Sequence, residues 1–124
     1  MTNTEFATGY YHWFFLIQPS PLPETLIGAD PGFYLNSILS AWGRSGTDVF
    51  HPDAYQEYAD AFADPSCISA TCEDYRAAAT IDLEHGTEDS GRKIASPLLL
   101  LWGANGLIGR WYDVPSYGGK RRNT

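Results

Sequence analysis

Residues 10 to 19, Tyr-Tyr-His-Trp-Phe-Phe-Leu-Ile-Gln-Pro, set an imidazole, His12, beside an indole, Trp13, inside a dense aromatic segment. Both rings carry N–H groups able to donate a hydrogen bond from apolar surroundings. Donors held in a dry pocket suit an anion that water would otherwise solvate, such as a leaving halide. Tyr75, between Asp74 and Arg76, lies on an apolar helical stripe, where its hydroxyl needs a partner. Taken alone, His12 is open between an anion donor and a core histidine with a satisfied ring. Taken alone, Tyr75 reads as core.

The other reactive side chains fall into structural roles. His51 precedes Pro52 and reads as a helix cap; His85, in Asp82-Leu83-Glu84-His85-Gly86, sits at a helix C-terminus, where the dipole favours a cation. The three histidines are far apart, and no H-E-x-x-H or cysteine–histidine spacing points to a metal. Gly103, Gly106 and Gly109 follow an apolar run, but their spacing is not the dinucleotide fingerprint and no amphipathic helix clearly follows. No G-x-S-x-G elbow offers a serine nucleophile. Asp60, Asp64, Glu73 and Asp74 read as exposed helix faces and caps. No cofactor is expected.

The chain has 124 residues and a formal charge of −7, which suits one domain and argues against nucleic acid as a partner. Its basic cluster, Lys120, Arg121 and Arg122, reads as a solvated tail. Cys67 and Cys72 are five apart, a spacing that does not align them on one helix face. With no secretory leader in view, they are expected to be reduced thiols of a cytoplasmic protein. The apolar runs Trp13 to Ile17 and Pro97 to Trp102 are too short to span a bilayer. The first helix also lacks the basic residues that would hold it to anionic lipid, so no membrane partner is expected.

These side chains have to be positioned by helices. The apolar spacing predicts a helix from about Thr4 to Gln18, apolar on more than one side and ended by Pro19-Ser20-Pro21-Leu22-Pro23. Three more helices open with a cap followed by proline: Asp30-Pro31, His51-Pro52 and Asp64-Pro65. The first carries Tyr34, Ile38 and Trp42 and stops at Gly43. The second carries Tyr55, Tyr58, Ala59 and Phe62. The third and longest aligns Ile68, Cys72, Tyr75 and Ala79 and ends just before Gly86, and Thr87 to Lys93 read as a loop. Pro97-Leu98-Leu99-Leu100-Leu101-Trp102-Gly103 then has the composition of a strand buried on both faces of a parallel sheet. Such a strand needs neighbours, and nothing else in the chain reads as one.

Several of these stretches resemble the haloacetate dehalogenases, including the fluoroacetate dehalogenases, of the α/β-hydrolase superfamily. Tyr10 to Asp30, with His12-Trp13 and Gln18-Pro19-Ser20-Pro21-Leu22-Pro23-Glu24, resembles the start of the family's cap. Cys72-Glu73-Asp74-Tyr75-Arg76-Ala77 and Thr80-Ile81-Asp82 resemble its last part, and Ser96-Pro97-Leu98 to Trp102-Gly103 the strand where the chain re-enters the core sheet. The likeness covers roughly residues 5 to 113, with its motifs in the family's order. It implies an α/β-hydrolase fragment: a mainly helical cap region over residues 1–86, then a return to the core over 87–113 with one buried strand near 97–102. Residues 114–124 form a divergent polar tail.

In that family an aspartate displaces halide from the haloacetate to form an ester, and a histidine-activated water releases glycolate. The halide is held by a histidine, a tryptophan and a tyrosine of the cap, which match His12, Trp13 and Tyr75. The resemblance thus implies a halide cradle, with a haloacetate or a halide ion as ligand and a homodimer as a possible assembly. The family's nucleophilic aspartate, carboxylate-gripping arginines and catalytic histidine match nothing here. No catalytic residue is therefore assigned, and the chain is expected to be a truncated piece that is inactive alone. Its alternative role is a non-catalytic helical binding or dimerisation module.

Overall fold

The computed structural model describes residues 4–43, 46–103 and 106–116. Contacts divide the chain into two units, Met1–Asp82 and Leu83–Thr124. The first contains α1 (Thr4–Gly9), α2 (Tyr11–Leu16), α3 (Leu22–Ala29), α4 (Pro31–Gly43), α5 (Pro52–Phe62) and α6 (Pro65–Ala78). A further helix, α7 (Ile81–Glu88), carries the chain across the boundary. The second unit continues with a 3-10 turn, Asp89–Gly91, and α8 (Leu107–Trp111).

Three helices begin where capping chemistry placed them. The Asp30 carboxylate accepts from the Phe33 N–H at 3.0 Å and opens α4. The His51 ring accepts from the Asp53 N–H at 3.3 Å, and Asp64 accepts from the Ser66 N–H at 2.8 Å. Each side chain satisfies a backbone donor that the helix itself leaves unpaired, and the following proline has no N–H to satisfy.

Elsewhere the helices differ from the periodicity. The expected helix over residues 4–18 is two helices, broken at Tyr10, whose φ of −127° and ψ of 33° leave the helical region. The break answers a problem in the sequence, since a helix apolar all round cannot bury every face against one neighbour. Phe6 stacks on Tyr10 at 5.6 Å and meets Phe14 edge-on at 5.8 Å, while α2 turns His12 and Leu16 inward. Pro21-Leu22-Pro23 does not remain a connector but leads into α3. Proline is tolerated in a first turn, and Pro23 and Ile27, one turn apart, are both buried.

The long helix expected after Asp64 stops at Ala78. The Thr80 hydroxyl donates to the Arg76 carbonyl at 2.7 Å, and Thr80-Ile81 sets two β-branched residues at the break. Gly86 consequently lies inside α7, not beyond a helix end, and part of the expected loop at 87–93 is helical. A short helix, α8, starts directly after Gly106 and contains Gly109, where a Cβ would come within 3.2 Å of the Trp102 ring and of the Gly103 carbonyl oxygen.

Helix α6 is the hub of the first unit, packing against α2, α3 and α5, while α4 packs on α3 and α5. The core is Leu16, Ile27, Ile68 and Cys72, flanked by Phe15, Tyr34, Phe62 and Tyr75. In the second unit Pro97 to Trp102 has no regular secondary structure, and among the described residues no strand ladder forms. Leu99 and Leu101 are 79% and 84% exposed, so the run has an interior strand's composition without a sheet around it. The basic cluster at 120–122 and most of the divergent tail, from 117 onward, lie outside the described residues.

Core and surface should therefore respond differently to truncation. Ile68→Ala, at a site 2% exposed, is expected to cost about 2–5 kcal/mol in chemical denaturation. Leu26→Ala, at 57% exposed, should change stability by no more than about 0.5 kcal/mol.

Candidate functional site

The site is assembled where α2 meets α6. His12 is 3% exposed; its neighbour Trp13, one residue further round the helix, is 38% exposed and lies at the rim. Both rings meet the Tyr75 ring of α6 edge-on, His12 at 5.8 Å between centroids and Trp13 at 5.2 Å. The structure thus brings together all three residues singled out in the sequence, from positions more than 60 apart along the chain. Trp42 of α4 closes the far side of His12 at 5.7 Å, and Tyr10 and Tyr11 flank it at 5.6 and 6.0 Å. Trp42 was legible only as a stripe residue of its helix. Its place against His12 depends on how α4 packs.

Electrostatics keep these groups neutral. Burial pushes the His12 imidazole below its ordinary value of 6.5, so at neutral pH the ring keeps one N–H. Burial, and then the nearby Asp74 charge, push the Tyr75 phenol up, so its O–H is retained. Among the described residues, no hydrogen bond ties the His12 ring, the Trp13 indole or the Tyr75 hydroxyl to a protein acceptor. Three donors therefore face a mostly apolar setting with their protons uncommitted. That arrangement can receive an anion or a polar atom on which negative charge develops.

The neighbour of Tyr75 fixes the frame. The Arg76 guanidinium donates from Nε and Nη2 to the Gln18 carbonyl at 2.9 and 2.7 Å. Its Nη1 donates to Glu24 at 2.7 Å and to Glu73 at 2.6 Å. Gln18 follows α2 and Glu24 lies in the first turn of α3, so one side chain pins both helices to α6. The Arg76 hydrogen bond holds the Glu24 carboxyl below the usual carboxylate range. In the sequence Arg76 stood out only as a neighbour of Tyr75 and a member of the Cys72-to-Ala77 stretch, with no role of its own.

The remaining candidates lie elsewhere. His51 caps α5, and His85 is in the last turn of α7, as the sequence indicated. Cys67 and Cys72 are free thiols, the second fully buried. Among the described residues no three histidine, cysteine or acidic side chains are grouped to hold a metal ion. No helix among them is long and apolar enough to cross a membrane.

No family model matches the chain. A fluoroacetate dehalogenase from a Burkholderia species is 42% identical over 108 residues, which are 87% of this chain and 36% of that protein. A solved structure from Nostoc sp PCC 7120, provisionally assigned as an α/β hydrolase, is 57% identical with a TM-score of 0.89, over 98% of this chain and 42% of its own. The chain belongs to the α/β-hydrolase superfamily. A provisionally assigned epoxide hydrolase from Pseudomonas aeruginosa is 37% identical with a TM-score of 0.83, over 98% of this chain and 41% of its own. A provisionally assigned acyltransferase from Salmonella enterica is 44% identical with a TM-score of 0.87, over 98% and 40%.

The haloacetate-dehalogenase resemblance read from the motifs is borne out at this level, as is the hydrolase fold class. The chain spans about two fifths of the length of the proteins it matches. Those proteins are named for different reactions, so the likeness carries the superfamily and not the chemistry.

A buried neutral histidine has a consequence for stability. The unfolded chain takes up a proton on His12 near pH 6.5, whereas the folded chain does so only at lower pH. The stabilisation is complete above that value and declines as pH falls toward the folded pKa. Thermal midpoints measured between about pH 7 and 5 should fall for the wild type and stay flatter for His12→Asn.

Proposed function

We propose that this chain supplies the halide-stabilising face of a hydrolytic haloacetate dehalogenase. The observation that carries the reading is the convergence of His12 and Trp13 on the Tyr75 ring, with all three donors uncommitted. The similarity to a fluoroacetate dehalogenase supports the same reaction class.

In this reading a carboxylate attacks the carbon that bears the halogen, forming an ester as the carbon–halogen bond breaks. The bonding electron pair leaves with the halide. Fluoride is a poor leaving group because it concentrates charge that water solvates strongly, so a dry site must replace that hydration as the bond breaks. The His12 N–H, the indole N–H and the Tyr75 O–H supply that replacement as fixed dipoles. Water then cleaves the ester to release glycolate and restore the carboxylate. The attacking carboxylate and the base that activates this water have no counterpart among the residues of this chain. The chain alone is therefore expected to release no halide.

A specific observation also favours association. Tyr11, Phe14, Leu22, Leu26 and Phe33 of the first unit are large apolar side chains left exposed, Phe33 at 72%. A helical binding or dimerisation module is the second reading, with a homodimer as its simplest form. Sedimentation of the chain would then show a discrete dimer that Phe33→Ser weakens; monomer at all concentrations would exclude it.

The dehalogenase reading is tested by exchange. This chain replaces the matching 108-residue stretch of the Burkholderia enzyme, and halide release from fluoroacetate and chloroacetate is measured. The chimaera should defluorinate, and Tyr75→Phe should slow defluorination by about 10²–10³ and dechlorination by less. Equal losses on both substrates would remove Tyr75 from the halide's surroundings.

A further inference from the structure

The three donors sit on two helices, so their spacing is only as exact as the joint between α2 and α6. Apolar contacts across that joint, shared by Leu16 of α2 with Ile68 and Cys72 of α6, are non-directional and tolerate sliding. Hydrogen bonds do not. Arg76 follows Tyr75 on α6 and sends two N–H groups, from Nε and Nη2, to the Gln18 carbonyl at 2.9 and 2.7 Å. Gln18 is itself bound back to α2: its N–H donates to the Phe15 carbonyl at 3.2 Å, and its side-chain amide to the Phe14 carbonyl at 2.6 Å. Phe14 is the residue after Trp13, so the tie runs from the phenol on α6 to the indole on α2 through directional bonds. Glu24 and Glu73 take the remaining nitrogen, Nη1, at 2.7 and 2.6 Å and fix the plane of the fork.

We infer that Arg76 is a positioning residue that sets the preference for fluoride over chloride as the leaving group, by fixing the spacing of the His12, Trp13 and Tyr75 donors. The inference rests on the halide reading above and adds what tunes it. Fluoride is smaller than chloride, so its charge lies closer to the donor protons, where the Coulomb gain changes most steeply with distance. Chloride spreads its charge over a larger ion, gains less from close approach, and loses less when α2 shifts. A misplacement of about 1 Å can cost a reaction about 10²-fold, and here the smaller halide bears most of that loss. Lysine at this position keeps a charge for Glu24, but its single ammonium cannot reproduce the planar fork on the Gln18 carbonyl.

The test uses the chimaera described above and compares kcat for fluoroacetate with kcat for chloroacetate on the same preparation. The ratio cancels any loss of folded enzyme, which a merely structural role would produce. Arg76→Lys should lower the fluoride-to-chloride ratio about tenfold while KM for each substrate stays within about twofold. Ile27→Ala, a truncation of the α3 core residue that is 1% exposed, should lower the thermal midpoint and leave the ratio unchanged. An unchanged ratio in Arg76→Lys, beside a lowered one in Tyr75→Phe, would overturn the positioning role and leave the halide site standing. Equal losses on both substrates in Tyr75→Phe would remove the halide site and this role with it. In the chain itself, nuclear Overhauser contacts between the Trp13 and Tyr75 ring protons read the same geometry without turnover. They should weaken in Arg76→Lys and persist in Ile27→Ala; contacts unchanged in Arg76→Lys would overturn the assignment even with an inactive chimaera.

Discussion

The guanidinium of Arg76 is the interaction on which the arrangement of the first unit depends. A helix ends with carbonyls that have no partner, and a carboxylate brought into the packed interior needs a cation. Arg76 meets both demands at once, capping the chain after α2 through the Gln18 carbonyl and neutralising Glu24 at the start of α3. Glu73, one turn before it on α6, completes the cation's surroundings. The Arg76 and Glu24 side chains are 16% and 17% exposed, so solvent screens this contact far less than a surface pair. The residue immediately before Arg76 is Tyr75. The bonds that fix α2 against α6 are therefore the bonds that fix His12 and Trp13 against the phenol they face.

Around that frame the aromatic residues serve two purposes. Edge-on contacts between His12, Trp13, Trp42 and Tyr75 fill space, as any core does. They also exclude water from groups that keep their protons, and a donor's influence on nearby charge grows as water leaves. The cost of such a site is visible in the lowered His12 pKa and in the unpartnered Tyr34 hydroxyl.

Local chemistry was legible from the sequence; the points where packing decides were not. Asp30, His51 and Asp64, each followed by proline, opened helices where expected, since cap and proline act within a single turn. The aromatic stretch around His12 read as one helix because hydrophobic spacing carries no record of the bend at Tyr10 that distributes its faces. Pro21-Leu22-Pro23 read as a terminator because proline has one meaning inside a helix and the opposite meaning in its first turn. The Pro97 to Trp102 run showed the reverse limit, as composition predicts a buried strand but only neighbouring strands can make one. His12, Trp13 and Tyr75 came together through their resemblance to a family's motifs, since no spacing rule links α2 to α6. Tyr34 had no such signal, and Arg76, though inside the Cys72-to-Ala77 stretch, carried none for its role in joining helices.

The central claim is that His12, Trp13 and Tyr75 together form an anion site. Quadrupolar broadening of the chloride resonance in the presence of the chain tests it without requiring turnover. The account predicts excess broadening that is lost in Tyr75→Phe and retained in Tyr58→Phe, a phenol on the exposed face of α5. Equal broadening in the wild type and in Tyr75→Phe, or none in either, would contradict it.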